Sequence, residues 1–74
     1  MTLPTVPPLD HMLIWQAETK ATGANIHRVV SALGKYKNQH HLCERALERG
    51  DDITERVEKL ADFERRLRLT LRNL

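Results

Sequence analysis

The last third of the chain carries a heptad stripe. Ile53, Val57, Leu60, Glu64, Leu67, Leu71 and Leu74 follow one another at spacings of 4-3-4-3-4-3, and Glu64 is the single polar member. This is the a/d seam of a coiled coil. A helix with one apolar stripe and a length of roughly 20 residues is not stable alone in water. It must bury the stripe against its own chain or against a second copy, so the seam bounds both the fold and the mode of association.

Seventy-four residues make one domain with a small core. At this size roughly 60% of the unfolded surface is buried, and small chains usually add a disulfide, a metal or a partner subunit. Cys43 is the only cysteine, which excludes an intrachain disulfide and fits a reducing compartment. Met1 to Asp10 has neither a basic start nor a long apolar run, so the sequence suggests no export signal. No stretch approaches the ~18 apolar residues of a membrane span. A cytoplasmic location is the resulting expectation.

All three prolines, Pro4, Pro7 and Pro8, fall near the N-terminus, so residues 1–8 read as an extended Pro-rich arm. Pro8 suits the first turn of a following helix. Residues 9–74 then form a single helical domain, since β-branched residues never cluster and no strand pattern occurs. Glycine ends helices and Asn or Asp starts them. Gly23, Gly34 and Gly50, each followed by Asn or Asp, therefore predict four helices at about 9–22, 25–34, 38–49 and 52–73. Asp52 and Glu55 have the spacing of a capping box. The expected fold is all-α: short helices followed by a long C-terminal amphipathic coiled-coil-like helix, arranged as a helical hairpin or small bundle and dimeric.

The charges of the last helix are split. Residues 51–62 balance at −3 and residues 63–74 at +3. Acid at the start and base at the end suit the helix macrodipole. The split also bears on pairing, because two antiparallel copies set opposite charges together and two parallel copies set like charges together. An antiparallel homodimer through the seam is expected, and packing of the same helix inside a monomeric bundle is the competing outcome. Glu64 pairs with Arg68 or a partner arginine at the seam's edge, or else sets the register of the dimer.

Residues 16–33 loosely fit a helix-turn-helix, with Gly23 in the turn and Ile26, Val29, Val30 and Leu33 to hold the second helix. Between Glu18 and Glu44 the only charged residues are Lys20, Arg28, Lys35 and Lys37. An acid-free stretch of +4 suits phosphate contacts, so Lys20, Asn25, Arg28, Lys35 and Lys37 are candidate nucleic-acid contacts. Against this, Thr22 stands where an apolar packing residue is expected. The same segment also reads as a solvated face, or as one paired with the acidic start of the last helix.

The stretch from Cys43 to Leu74, including Lys59-Leu60-Ala61-Asp62-Phe63-Glu64, resembles the dimerisation helix of MerR-type regulators. The resemblance covers less than half the chain and does not extend to that family's winged N-terminal domain, so it implies a dimerising helix and no further function. His40 and Cys43 have i, i+3 spacing, but zinc needs three or four ligands and no second such pair exists, so no metal and no cofactor is expected. Cys43 reads as a small buried hydrophobe beside Ala46 and Leu47. No catalytic constellation is visible. Met12, Leu13, Ile14 and Trp15 span more than one helix face, which marks Met12, Ile14 and Trp15 as candidate partner anchors unless they fill the core from two sides.

These readings combine into a non-enzymatic protein that self-associates and acts by binding another macromolecule, with a protein preferred as target. The alternative is a small helix-turn-helix DNA-binding regulator dimerised by its C-terminal helix.

Overall fold

The computed structural model describes residues 5–74. Three α-helices follow in order: α1, His11–Lys20; α2, Ile26–Glu48; and α3, Thr54–Arg72. A short 3-10 turn, Gly23–Asn25, leads into α2. No strand occurs among the described residues. The expected arm lies partly outside them, at residues 1–4. Residues 5–10 have no regular structure, but Val6 and Leu9 pack against the core.

The main departure from the sequence reading is in the middle of the chain. The expected helices at 25–34 and 38–49 are one helix, and Gly34 and Asn38 lie inside it. Gly34 is exposed, with open space where a Cβ would stand. Its cost of about 1 kcal/mol relative to alanine is offset by packing along the whole helix. Thus α2, at 23 residues, is longer than α3 at 19, and the C-terminal helix is not the longest element. Gly23 and Gly50 do break the chain, with φ of +54° and +78°. Those are left-handed conformations that a Cβ disfavours.

Two helix starts also differ from expectation. The first helix begins at His11 rather than at about residue 9, leaving Pro8 outside its first turn, because Asp10 is its N-cap: Asp10 Oδ1 accepts the Leu13 N–H at 3.1 Å. At α3, Asp52 Oδ1 accepts the Thr54 N–H at 3.0 Å and the Thr54 hydroxyl at 2.7 Å. The Asp52–Glu55 capping box is therefore replaced by a local turn over Asp52, Ile53 and Thr54. Those bonds, the backbone N–H first, hold the Asp52 carboxyl below its usual pKa.

A short loop at residues 49–53 makes α2 and α3 an antiparallel hairpin, and their contact is the principal interface. The molecule is elongated, with extents of 45 × 19 × 17 Å. That length is set by α2, whose 23 residues span about 35 Å. Helix α3 buries Leu60, Leu67 and Leu71, and Ile53 is buried at its start. Helix α2 meets them with Val29, Leu33, Tyr36, Gln39, Cys43 and Ala46, a stripe at spacings of 4-3-3-4-3. Each large apolar side chain buried here contributes roughly 1.5–3 kcal/mol. The heptad stripe of α3 is thus buried within its own chain, with only Leu74 exposed and Val57 and Glu64 half-buried.

Helix α1 packs across one end of the hairpin, touching both α2 and α3 through buried Leu13 and Ala17. A polar clasp centred on Asp10 fixes it there. The Asp10 backbone N–H donates to Tyr36 Oη at 2.9 Å. Its Oδ2 accepts from Arg68 Nη2 at 2.7 Å, and the same guanidinium nitrogen donates to Glu64 Oε1 at 2.8 Å. Glu64 therefore pairs with Arg68 of its own helix, the first of the two roles the sequence allowed. Asp10 is held below its usual pKa by the Leu13 N–H and then by Arg68. Desolvation pushes the Tyr36 hydroxyl upward. At the other end, Gln39 Nε2 donates to the Arg56 carbonyl at 3.0 Å and ties α2 to α3.

Candidate functional site

The candidate partner anchors separate on folding. Ile14 is half-buried and packs against the core, whereas Met12 and Trp15 are 64% and 60% exposed. Residues i and i+3 are neighbours on a helix surface, so Met12 and Trp15 form one outward apolar ridge. It lies opposite the face that carries Leu13 and Ala17. Of the two readings of this cluster, part of it fills the core and part is on display.

The five candidate nucleic-acid contacts do not form one face. Asn25 is engaged in the turn, where its Oδ1 accepts the Thr22 N–H at 2.9 Å. Thr22 thus helps to build the tight turn, in the place where a packing residue was expected. Lys20 borders a depression between α1 and α3, together with Arg68 and Arg72. Lys37 lies two residues beyond Lys35, about 200° further around α2. Only Arg28 and Lys35, seven residues apart, share a side of α2.

That side faces a groove of about 250 Å³ between α2 and α3, to which α3 contributes Phe63, Arg66 and Thr70. Arg66 and Lys59 both lie over the Phe63 ring, at 5.9 and 5.7 Å from its centroid. Arg66 is also paired with Asp62 at 3.0 Å. Among the described residues, neither Arg28 nor Lys35 forms an ion pair. A second groove, lined by Gln39, Leu42, Asp52, Glu55, Arg56 and Lys59, occupies the loop end of the hairpin. Helix α1 lines neither groove. The basic half of α3 is visible in the sequence as a charge split, but its place beside Arg28 and Lys35 is not. Arg66 flanks the seam in the sequence, and only the pairing with α2 sets it across the groove from Arg28 and Lys35.

Folding also redistributes charge over the whole molecule. The antiparallel hairpin brings residues 10–37 and 63–74 to one end, where eight Lys/Arg stand against three Asp/Glu, a balance of +5. Residues 38–62 form the loop end, with four Lys/Arg against seven Asp/Glu, a balance of −3. The basic half of α3 therefore lies beside the basic half of α2. Burial of the two stripes outweighs this repulsion, since exposed like-charge contacts cost well below 1 kcal/mol each.

The histidine–cysteine pair does not assemble a metal site. Cys43 is buried, and burial pushes its thiol upward. His40 Nδ1 lies 3.1 Å from Glu44 Oε1. Among the described residues no group of three or more His, Cys, Asp or Glu is arranged to hold a metal ion. Ala46 is buried beside Cys43 on the α2 stripe, whereas Leu47 is exposed. No helix of the described residues is long and apolar enough to cross a membrane. No family model matches the chain, and neither the curated proteins nor the solved structures contain a match.

Proposed function

We propose that this chain is a non-enzymatic helical protein that works by docking onto another macromolecule, with a protein as its target. The observation that carries this reading is the outward ridge of Met12 and Trp15 on α1. The opposite face of the helix is buried, and Asp10 bolts its start to Tyr36 and Arg68, so the ridge is held on a rigid support. A rigid exposed tryptophan next to a methionine is the composition of an interface anchor. Truncating such an anchor costs roughly 2 kcal/mol or more of binding energy.

Self-association belongs to the same proposal, but not through the α3 seam, which the hairpin already covers. An antiparallel pair of hairpins would set each +5 end against a −3 end, and this charge separation supports that arrangement. Such a dimer weakens as salt rises. Sedimentation at low and high ionic strength tests it, and a monomer at both rejects it.

A small helix-turn-helix regulator is the second reading. It is favoured by the unpaired Arg28 just beyond the turn that opens α2. Affinity capture from host lysate, compared between the native chain and Trp15→Ala, separates the two readings. A protein retained by the native chain, resistant to nuclease and lost with Trp15→Ala while helicity is unchanged, supports docking at α1. Capture that is unaffected by Trp15→Ala and abolished by nuclease favours the regulator.

A further inference from the structure

The groove between α2 and α3 lies apart from the α1 ridge and has its own chemistry. Arg28, Ser31 and Lys35 rise from one wall, and Arg66 and Thr70 from the other. Lys59, about two turns before Arg66 on α3, reaches over Phe63 from the adjoining groove. The nearest acid to these groups among the ion pairs is Asp62, on Arg66. No acid occurs in α2 until Glu44.

We propose that this groove binds the phosphodiester backbone of double-stranded nucleic acid. The proposal rests neither on docking at Trp15 nor on recognition by the turn. Arg28 and Lys35 are on the same side of α2, about 10 Å apart along its axis. Arg66 stands across the groove from them, so the cations form a track with two sides rather than a single row. Ser31 adds a hydroxyl donor between Arg28 and Lys35. A protein partner needs an apolar anchor at the centre of its interface, and the one aromatic here, Phe63, is half-buried and covered by Lys59 and Arg66. The same cover leaves no free ring for unstacked bases, which disfavours single strands. The remaining chemistry is charge against phosphate.

A short fluorescent DNA duplex, titrated with the full chain across a range of salt, provides the test. Three phosphate contacts predict a slope of log K against log salt of about −3. Lys35→Glu lowers affinity at roughly 50 mM salt by about tenfold or more. Lys37→Glu changes net charge identically from the far side of α2 and lowers affinity by no more than about threefold, the effect of net charge alone. Both positions are exposed, and circular dichroism confirms that both variants keep their helices. Absence of binding at low salt overturns the proposal. Equal losses from the two variants overturn it too, since they reduce the effect to net charge. Preferential binding of an acidic polyglutamate peptide over the duplex identifies the groove as a protein site instead.

Discussion

The two ends of the hairpin are built differently from similar helices. At the α1 end three helices meet around Leu13, Ala17, Val29, Leu33, Tyr36, Leu67 and Leu71. The Asp10–Tyr36–Arg68–Glu64 clasp closes that end. At the loop end only α2 and α3 meet, and α2 offers the small side chains of Cys43 and Ala46 and the amide of Gln39. Small residues allow close approach of two helices without a third layer, and Ile53 is buried at the loop. One stripe on α3 thus serves both a three-layer and a two-layer region, and the partner residues decide which. The charge follows the same division, base at the thick end and acid at the thin one.

The strongest way to break this comparison is to cut the stripe at each end. Leu67→Ala, fully buried at the three-helix end, should destabilise by about 3–4 kcal/mol, and Leu60→Ala, nearer the two-helix end, by about 2 kcal/mol. Urea melts of both variants measure this. Equal losses would show that α1 adds no packing around Leu67. The loop is next in size: Gly50→Ala forces a Cβ into φ +78° and should cost about 1–2 kcal/mol.

Gly34→Ala has the opposite sign. The site is helical, exposed and open, so alanine should stabilise by about 0.5–1 kcal/mol. A loss of stability there would mean that α2 bends or frays at residue 34 and that the hairpin is two shorter pieces.

The finest probe is pH, because the clasp exists at one end only. The folded Asp10 carboxyl is held below its usual value of 3.8, first by the Leu13 N–H and then by Arg68. Its contribution is complete above that value and is lost as pH falls through the lower, folded-state value. Asp10→Asn should lower the melting temperature at neutral pH and shrink the difference between neutral and acid melts. Hydrogen exchange should place the change in α1 rather than at the loop. An Asp10→Asn variant with the native acid sensitivity would assign that sensitivity to Asp52, the other depressed carboxyl, at the loop end.

Much of this was legible in the residues, and what was missed has a common cause. The helix over α3, the stop at Gly50 and the Glu64–Arg68 pair all depend on neighbours within a few positions, and local spacing reveals them. The α2 stripe was hidden because Tyr36 and Gln39, at its middle, do not read as an apolar face. Gly34 and Asn38 also looked like punctuation in the middle of it. Likewise Arg28 and Lys35 stand out in the linear chain as part of an acid-free stretch, but Arg66 joins them only across the hairpin.

The sequence by itself determined that the chain is helical, that it breaks at Gly50, and that the face of α3 carrying Leu60, Leu67 and Leu71 must be covered. It could not say what covers that face, since a stripe specifies an apolar surface and not the identity of its partner. Tertiary structure decided that the partner is α2 of the same chain. A short loop makes that encounter intramolecular, so burying the stripe does not require the entropy loss of bringing two chains together. The same choice placed the basic halves of α2 and α3 side by side, because a few kcal/mol of buried leucine outweigh the screened repulsion of exposed charges.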